Sequence, residues 1–431
     1  MSDEMKPGKR AFQRRARRLI GVLCIATVGA TSACSGVLDV DMPGQMREED
    51  LLKADLANTL VTSAIADFEC ALTSYIIGAA GMGNEYFYST GWTGFIYFSH
   101  RQVYPTTGAI NTSDCISNTG FGFLRPFQTA RMEAEQAYRT IEAFSPQEVP
   151  NRDKLLAAAA VYVGFVYTYF GEAWCEVAVD VGPVMTPKET LKRAEEWFSR
   201  AIEKGEAAGD HAIAGTPSVV TLARLGRARA RLDLGDKTGA AADARLVPQG
   251  FVANATRSNI TPERRNNIYW HLNLNRYAII QPAYRNVMVD GVSDPRVPVR
   301  FMNQMANDGV SEHWVQLKYT AENSPVPIGK WQEALLILAE AEGGGAAVGH
   351  INTLRRHYGL PLYSGTDEGE IQRQIVEERR REFFFEGRRH ADMLRYGLPF
   401  PEGIGYKGVP YGDATCYPLS QSERDNNPNV R

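Results

Sequence analysis

Histidine is scarce in this chain, seven residues in 431, and none falls in an H-E-x-x-H or paired zinc-ligand spacing. A histidine-based metal centre therefore has no local foothold. Gly-x-Ser-x-Gly is missing and so is a P-loop, which removes the anchors of a serine hydrolase and of a phosphate-cradling nucleotidase. The GxGxxG string from Gly403 to Gly408 is followed by Pro410 and not by a helix start, whereas a dinucleotide site needs that helix. Six cysteines include no CxxC pair, so zinc ribbons and dithiol redox chemistry are excluded. An excess of basic residues is also lacking, with 47 Lys and Arg against 50 Asp and Glu, and nucleic-acid binding through bulk charge is not expected. Asp39 to Gly44, with Asp50 further on, imitates a calcium loop. Pro43 stands where an oxygen ligand belongs and the closing Glu is missing, so neither a metal nor a cofactor is expected.

What is present begins with an export leader at residues 1–33. Lys6, Lys9, Arg10, Arg14, Arg15, Arg17 and Arg18 form a positive n-region, and Leu19 to Val28 an apolar h-region too short to span a bilayer. Thr31, Ser32 and Ala33 then precede Cys34 in the manner of a lipobox. Cys34 is the expected lipid-attachment residue, and an ordinary signal peptide is the alternative, because Thr31 replaces the usual Leu. Without the leader, 40 basic residues face 48 acidic ones, a net charge of −8. No later stretch reads as a transmembrane span, so a water-soluble mature chain is expected apart from its lipid. Cys70, Cys115, Cys175 and Cys416 remain in an oxidising compartment and permit three pairings. Cys70 with Cys115 is the favoured pair, and buried free thiols are the alternative.

Residues 34–47 read as a polar tether. Apolar residues at helical spacing then mark residues 51–77, 127–144, 153–170, 187–208 and 218–234. Small residues alternate with large ones across 194–244, which lets antiparallel helices approach closely, as in degenerate tetratricopeptide pairs. Two blocks break the pattern: 78–122, rich in Gly, Thr, Ser and aromatics, and 249–328, rich in Asn, Pro and aromatics. Both are too long to be plain connectors, and loops on a rigid scaffold carry binding residues. Final helices are expected at 331–343, 346–357 and 367–396, followed by a Gly- and Pro-rich tail from 397 to 431. The fold class is all-α in the main.

The stretch 375–397 is unusual within this plan. On a helix, Phe383, Phe384 and Phe385 sweep roughly 200°, twice the width of an ordinary apolar stripe. The helix should therefore be packed on more than one side, drawing some of Glu378, Arg379, Arg380, Arg381, Glu382, Glu386, Arg388 and Asp392 to or below the surface, where charges must be paired; a solvated, charge-laced helix is the alternative. Spacing allows Arg388 with Asp392 and Asp392 with Arg395.

This segment resembles the C-terminal signature of the SusD/RagB family of outer-membrane nutrient-binding lipoproteins. The resemblance runs through Glu378, Arg379 and Arg380, then Phe385, Glu386 and Gly387, then Arg389, Asp392 and Arg395. Upstream, Trp331 to Ala341 and Ile351 to Arg355 are similar to the family's acidic, Leu-rich helix and its sequel. Downstream, Cys416 to Pro428 is similar to its closing segment. The resemblance implies a single SusD-like domain over 48–431, with helical repeats at 48–77 and 123–245, inserts at 78–122 and 249–328, C-terminal helices at 331–396 and a closing tail. It implies a non-catalytic, lipid-anchored protein facing the cell exterior, which passes a glycan or peptide to a SusC-like TonB-dependent outer-membrane transporter. It also implies that the signature residues hold the fold and do not touch ligand.

Aromatic rings stack on the C–H faces of sugars while amides bond hydroxyls. Trp92, Tyr97, Trp270, Tyr277 and Trp314 are the expected platforms, with Asn84 and Asn267 as hydrogen-bonding companions. Trp197 and Trp331, on helical patterns, belong to the core. Two other readings compete: a secreted helical polysaccharide-degrading enzyme, for which Glu85 and Asp114 are conceivable acids, and a tetratricopeptide-like scaffold that binds only proteins.

Overall fold

The computed structural model describes residues 53–116 and 122–430. The leader, Cys34, the tether and the calcium-like string lie outside the described residues. From residue 52 onward the chain forms one compact unit.

Helices dominate it. The body runs through α1 (Ala57–Met82), the short α2 (Thr93–Ser99) and α3 (Gly108–Asn111), α4 (Leu124–Ala143), α5 (Arg152–Ala173), α6 (Pro187–Ala207), α7 (Val219–Asp233) and α8 (Lys237–Ala244). α9 (Trp331–Glu342), α10 (Gly344–His357), α11 (Glu368–Glu382), α12 (Arg389–Arg395) and α13 (Gln421–Asn426) complete it. From α4 to α8 each helix packs on the next, and α8 packs on α9. Trp331 is buried at the start of α9, and Trp197 meets Tyr138 edge to face at 5.3 Å.

α5 and the second half of α1, from Phe68 onward, sit at the centre because they are apolar on nearly every side, and such a helix must be buried all round. Contrary to expectation, Ala54–Met82 and Arg152–Ala173 are long and apolar enough to cross a membrane, with mean hydropathies of 1.4 and 1.3. Their apolar windows are 67% and 89% buried inside the fold, as in the core helices of a helical body. The outer helix α6 is amphipathic by contrast, burying Leu191, Ala194, Phe198, Ala201 and Ile202. It starts in a capping box in which Thr186 and Glu189 satisfy each other's backbone N–H. The small-large alternation has a direct structural meaning here. A Cβ on Gly164 of α5 or on Gly226 of α7 would come within 2.7 or 2.4 Å of the Phe198 ring. Both neighbours must be glycine for the phenyl ring to fit between three helices, and emptying that socket costs about 3–5 kcal/mol.

Two disulfides form, Cys70–Cys115 as favoured and Cys175–Cys416. The second ties the tail to the end of α5 across 241 residues of chain.

The expected continuous helix over 367–396 is broken. Asp367 caps α11 by accepting the Glu370 N–H at 2.9 Å, and the helix stops at Glu382. Phe385 takes φ 52° and Gly387 φ 75° before α12 begins. A straight helix would leave one of the three phenylalanines in solvent. The left-handed step instead buries all of them, and their carbonyls are used: Phe384 O accepts from Lys318 Nζ at 3.0 Å and Phe385 O from the Tyr319 hydroxyl at 3.0 Å.

The break also rearranges the charges. Arg379 chelates Asp392 at 2.7–3.0 Å from across the turn. The expected Arg388–Asp392 pair gives way to Arg388 bonding Glu333 and, at 3.3 Å, Glu172. Arg395 does reach Asp392, at 3.7 Å, but its stronger partners are Glu340 and Asp233. Arg355 and Arg296 share Glu378, which is 0% exposed. Lys330 and Lys318 hold Glu382 and Glu386 at 2.8 and 2.6 Å. Apart from Arg389, the signature charges thus form a buried, paired network, which is how ionised groups survive away from water.

Both irregular blocks contain more order than the sequence suggests. Among the described residues four two-stranded antiparallel ladders occur: β1 (Tyr86–Tyr88) with β3 (Ala278–Ile280), β2 (Val252–Ala255) with β8 (Val326–Lys330), β4 (Met288–Val289) with β5 (Val292–Ser293), and β6 (Val299–Met305) with β7 (Glu312–Gln316).

Candidate ligand-binding face

β1 and β3 come from different blocks, and their pairing sews the two together. Phe87 lies opposite Ile279, with Tyr86 and Tyr88 opposite Ile280 and Ala278. Beyond the ladder, Ser89 donates its N–H to Tyr277 O at 2.8 Å and its hydroxyl to Arg276 O at 2.6 Å. Strand alternation buries Tyr86 and Tyr88 and leaves Phe87 half-buried on the other side. The β6–β7 hairpin joins the same assembly: β7 packs beside β3, and Asn307 donates its N–H to Arg276 O at 3.0 Å.

Two groups of half-exposed rings result. In the first, Trp92 at the start of α2 packs against Tyr277 with ring centroids 5.0 Å apart, so one expected platform from each block meets the other. Phe95 and His271 close the group beneath them. Burial, reinforced by the nearby Arg265 charge, pushes the His271 imidazole down to about 3, so it serves as a neutral ring. Trp270 neighbours this group on the single π-helical turn Tyr269–Leu274, and the Arg265 guanidinium covers it at 4.0 Å.

The second group surrounds Trp314. Trp314 faces Phe301 across the β6–β7 ladder at 5.5 Å and donates its indole N–H to Glu312 at 3.0 Å. Arg285 lies over the indole at 4.9 Å. Tyr406, from the tail, stacks on Phe87 at 4.5 Å and bonds Ser311. Burial works against ionisation of Asp308, yet bonds from Lys407 and Ser311 hold its carboxyl down to about 2 and pin the hairpin to the tail.

The other expected residues are scattered. Tyr97 is half-buried on α2, edge-on to Tyr104 at 6.1 Å and apart from both groups. Asn267 is 2% exposed, accepting from Arg265 Nε at 2.9 Å and donating to Thr73 at 3.4 Å, so its amide is occupied within the protein. Asn84 takes φ 58° at the end of α1, accepts from Gln281, and lines a cavity of about 400 Å³. Of the conceivable catalytic acids, Glu85 is 0% exposed with its carboxyl pushed up to about 8 by burial, and Asp114 caps its own exposed loop through Ile116 N–H at 3.1 Å. Among the described residues no group of three or more His, Cys, Asp or Glu side chains is placed to hold a metal.

Sequence reasoning passed over Phe87, Arg285, Phe301 and Tyr406. The Tyr-Phe-Tyr alternation of 86–88 is a signal that one ring faces away from the core. Arg285 and Tyr406 carry no local signal, since their roles arise only when the tail folds back onto the hairpin.

Residues 300–429 match the SusD family. Among curated proteins, the starch-binding protein SusD of Bacteroides thetaiotaomicron is 30% identical over 127 residues, a stretch that spans 28% of this chain and 22% of that relative. Likeness to solved structures extends much further. A SusD-like carbohydrate binding protein from Bacteroides vulgatus superposes with a TM-score of 0.68 at 14% identity, over 88% of this chain and 97% of that one. A SusD superfamily protein from Bacteroides fragilis gives 0.67 at 15% identity, covering 88% and 99%. A laminarin binding SusD-like protein gives 0.62 at 13% identity, covering 88% and 98%. At these identities the likeness is one of fold.

Proposed function

We propose that the chain is a SusD/RagB family protein and a non-catalytic binding protein that captures a glycan at the joint face of its two inserts, a reading supported by the match over residues 300–429 and by the fold. The observation that carries this reading is the convergence of half-exposed rings from separate blocks, Trp92 on Tyr277 and Trp314 beneath Arg285 beside Phe301. Flat rings with neighbouring guanidinium and amide donors suit the alternating C–H and hydroxyl surfaces of sugars. The names of two similar proteins, one starch-binding and one laminarin binding, agree with this ligand class.

The rest of the assignment rests on the family and the leader. The described domain follows a tether from Cys34, where lipid holds it to the outer membrane facing outward. Ligand passes from it to a SusC-like TonB-dependent transporter. A tethered binder raises the local concentration of nutrient at the pore without high intrinsic affinity.

The test is a glycan and peptide binding screen with the purified protein, repeated on Trp92→Ala, Trp270→Ala and Trp314→Ala. Binding of an oligosaccharide that falls in the Trp92 and Trp314 variants supports the reading. Release of shortened product from the bound oligosaccharide, abolished by one Asp or Glu substitution, would overturn it in favour of an enzyme.

A further inference from the structure

The cavity beside Asn84 is built from every part of the chain that meets the face: Asn84 from the first block, Tyr284 from the second, Arg380 and Arg389 from the C-terminal helices, and Phe400 from the tail. Its polar side chains are Asn84, Tyr284, Arg380 and Arg389, with no carboxylate among them. Arg380 is committed, bonded twice to Glu377 at 2.6 and 2.7 Å and stacked over Tyr284 at 4.7 Å. Arg389 is half-buried and, among the described residues, has neither a hydrogen bond nor an ion pair. Every other arginine of 379–395 has a carboxylate within 4 Å. Asn84 spends its oxygen on Gln281, which leaves its Nδ2 facing no partner in the fold. The stem of Arg389 lies against Gly83, where a Cβ would come within 3.0 Å of both its Cβ and its Cγ, so the glycine lets the arginine settle at the end of α1.

The carboxyl that would ordinarily neutralise Arg389 is Glu85. It is sealed at 0% exposure, accepts the Phe385 N–H at 3.1 Å through one oxygen, and has no partner for the other. Burial keeps it protonated at neutral pH. The cavity therefore presents an uncompensated cation, a free amide donor and an aromatic wall in a chain whose mature net charge is acidic. A planar guanidinium fork matches a carboxylate in two parallel bonds.

Building on the glycan-binding reading, we propose that this cavity seats the carboxylate of a uronic-acid residue in the captured oligosaccharide. Arg389 is its bidentate partner, against the expectation that no signature residue touches ligand, with Asn84 Nδ2 a second donor and Phe400 the ring beside the sugar. The protein is thereby a receptor for acidic glycans.

The experiment is isothermal titration calorimetry of the full mature protein with tetragalacturonate, its methyl ester, maltotetraose, sulfated maltotetraose and tetraglutamate. Tetragalacturonate should bind about tenfold or more tightly than its ester, because only the ester lacks the charge-assisted bonds. Arg389→Gln should remove that preference, and Arg389→Lys should restore part of it. Asn84→Asp, which places a second charge in the cavity at a backbone conformation that Asp tolerates, should reverse the preference. Because the ester comparison uses the unaltered protein, the proposal stays exposed even if Arg389→Gln fails to fold. Equal affinity for acid and ester overturns it while leaving glycan binding intact, as does preference for the sulfated sugar. Binding of tetraglutamate with no sugar bound overturns both readings.

Discussion

Cations over the rings of Phe383 and Trp314 have opposite outcomes. Around Phe383, Lys330, Arg379 and Arg388 all lie within 5.6 Å of the ring, each is bonded to a carboxylate, and the ring is 2% exposed. Around Trp314, Arg285 covers a half-exposed indole and its Nε donates only to the Ile280 carbonyl at 2.9 Å. The first arrangement is closed: every charge has its counter-charge, water is excluded, and nothing remains to offer a ligand. The second is open, with rings and donors still partly solvated. The difference teaches that residue type does not separate frame from face; closure of the hydrogen-bond and charge accounts does.

The largest test of this contrast is Arg388→Ala. It strands Glu333 in the interior, while Glu172 keeps Arg229, and unfolding in denaturant should show a loss of about 3–5 kcal/mol, whereas Arg285→Ala should cost well under half as much. Near-equal losses would erase the distinction. Next comes the combined Cys175→Ser and Cys416→Ser variant, expected to lose about 2–4 kcal/mol. The tail that the bridge fastens also carries Phe400 and Tyr406, so ligand affinity should fall with stability, and unchanged affinity would detach the tail from the face.

Glu85, at the seam of the two regions, supplies a pH test. Its folded pKa of about 8 lies above the ordinary 4.5, so the folded state holds a proton that the unfolded state releases. Its contribution is present in full below about pH 4.5 and is lost as pH rises through about 8. Glu85→Gln should therefore melt progressively higher than the parent as pH goes from 5 to 9; a constant difference would mean that the carboxyl is ionised in the fold. The smallest effect is expected from Trp314→Ala, about tenfold in glycan affinity with a shift in unfolding free energy far below that of Arg388→Ala. A larger effect on folding than on binding would move Trp314 from face to frame.

Much of the frame was legible beforehand because its rules are local. Helical periodicity located most helices to within a few residues, alternation of small and large residues over 194–244 foretold close packing, and three adjacent phenylalanines beside eight charges foretold burial with pairing. The same three phenylalanines misled on shape: periodicity has no mark for a single left-handed residue, so the break at Phe385 was read as continuous helix. The face was less legible. Trp92 and Tyr277 could each be picked as exposed-loop aromatics but not as neighbours, and Asn267 looks like Asn84 in sequence while one is sealed and the other lines a cavity.

Legible in the sequence were the positions of the long helices, the need of buried signature charges for partners, and the wealth of rings in the two blocks between helices, because spacing and side-chain chemistry act over one or two turns of chain. Tertiary structure alone decided which charge meets which, as when Arg388 reaches Glu172 across 216 residues, and which rings stay open to water. Those outcomes depend on where distant segments are brought into contact, and a side chain's solvation is a property of what packs over it, not of its neighbours along the chain.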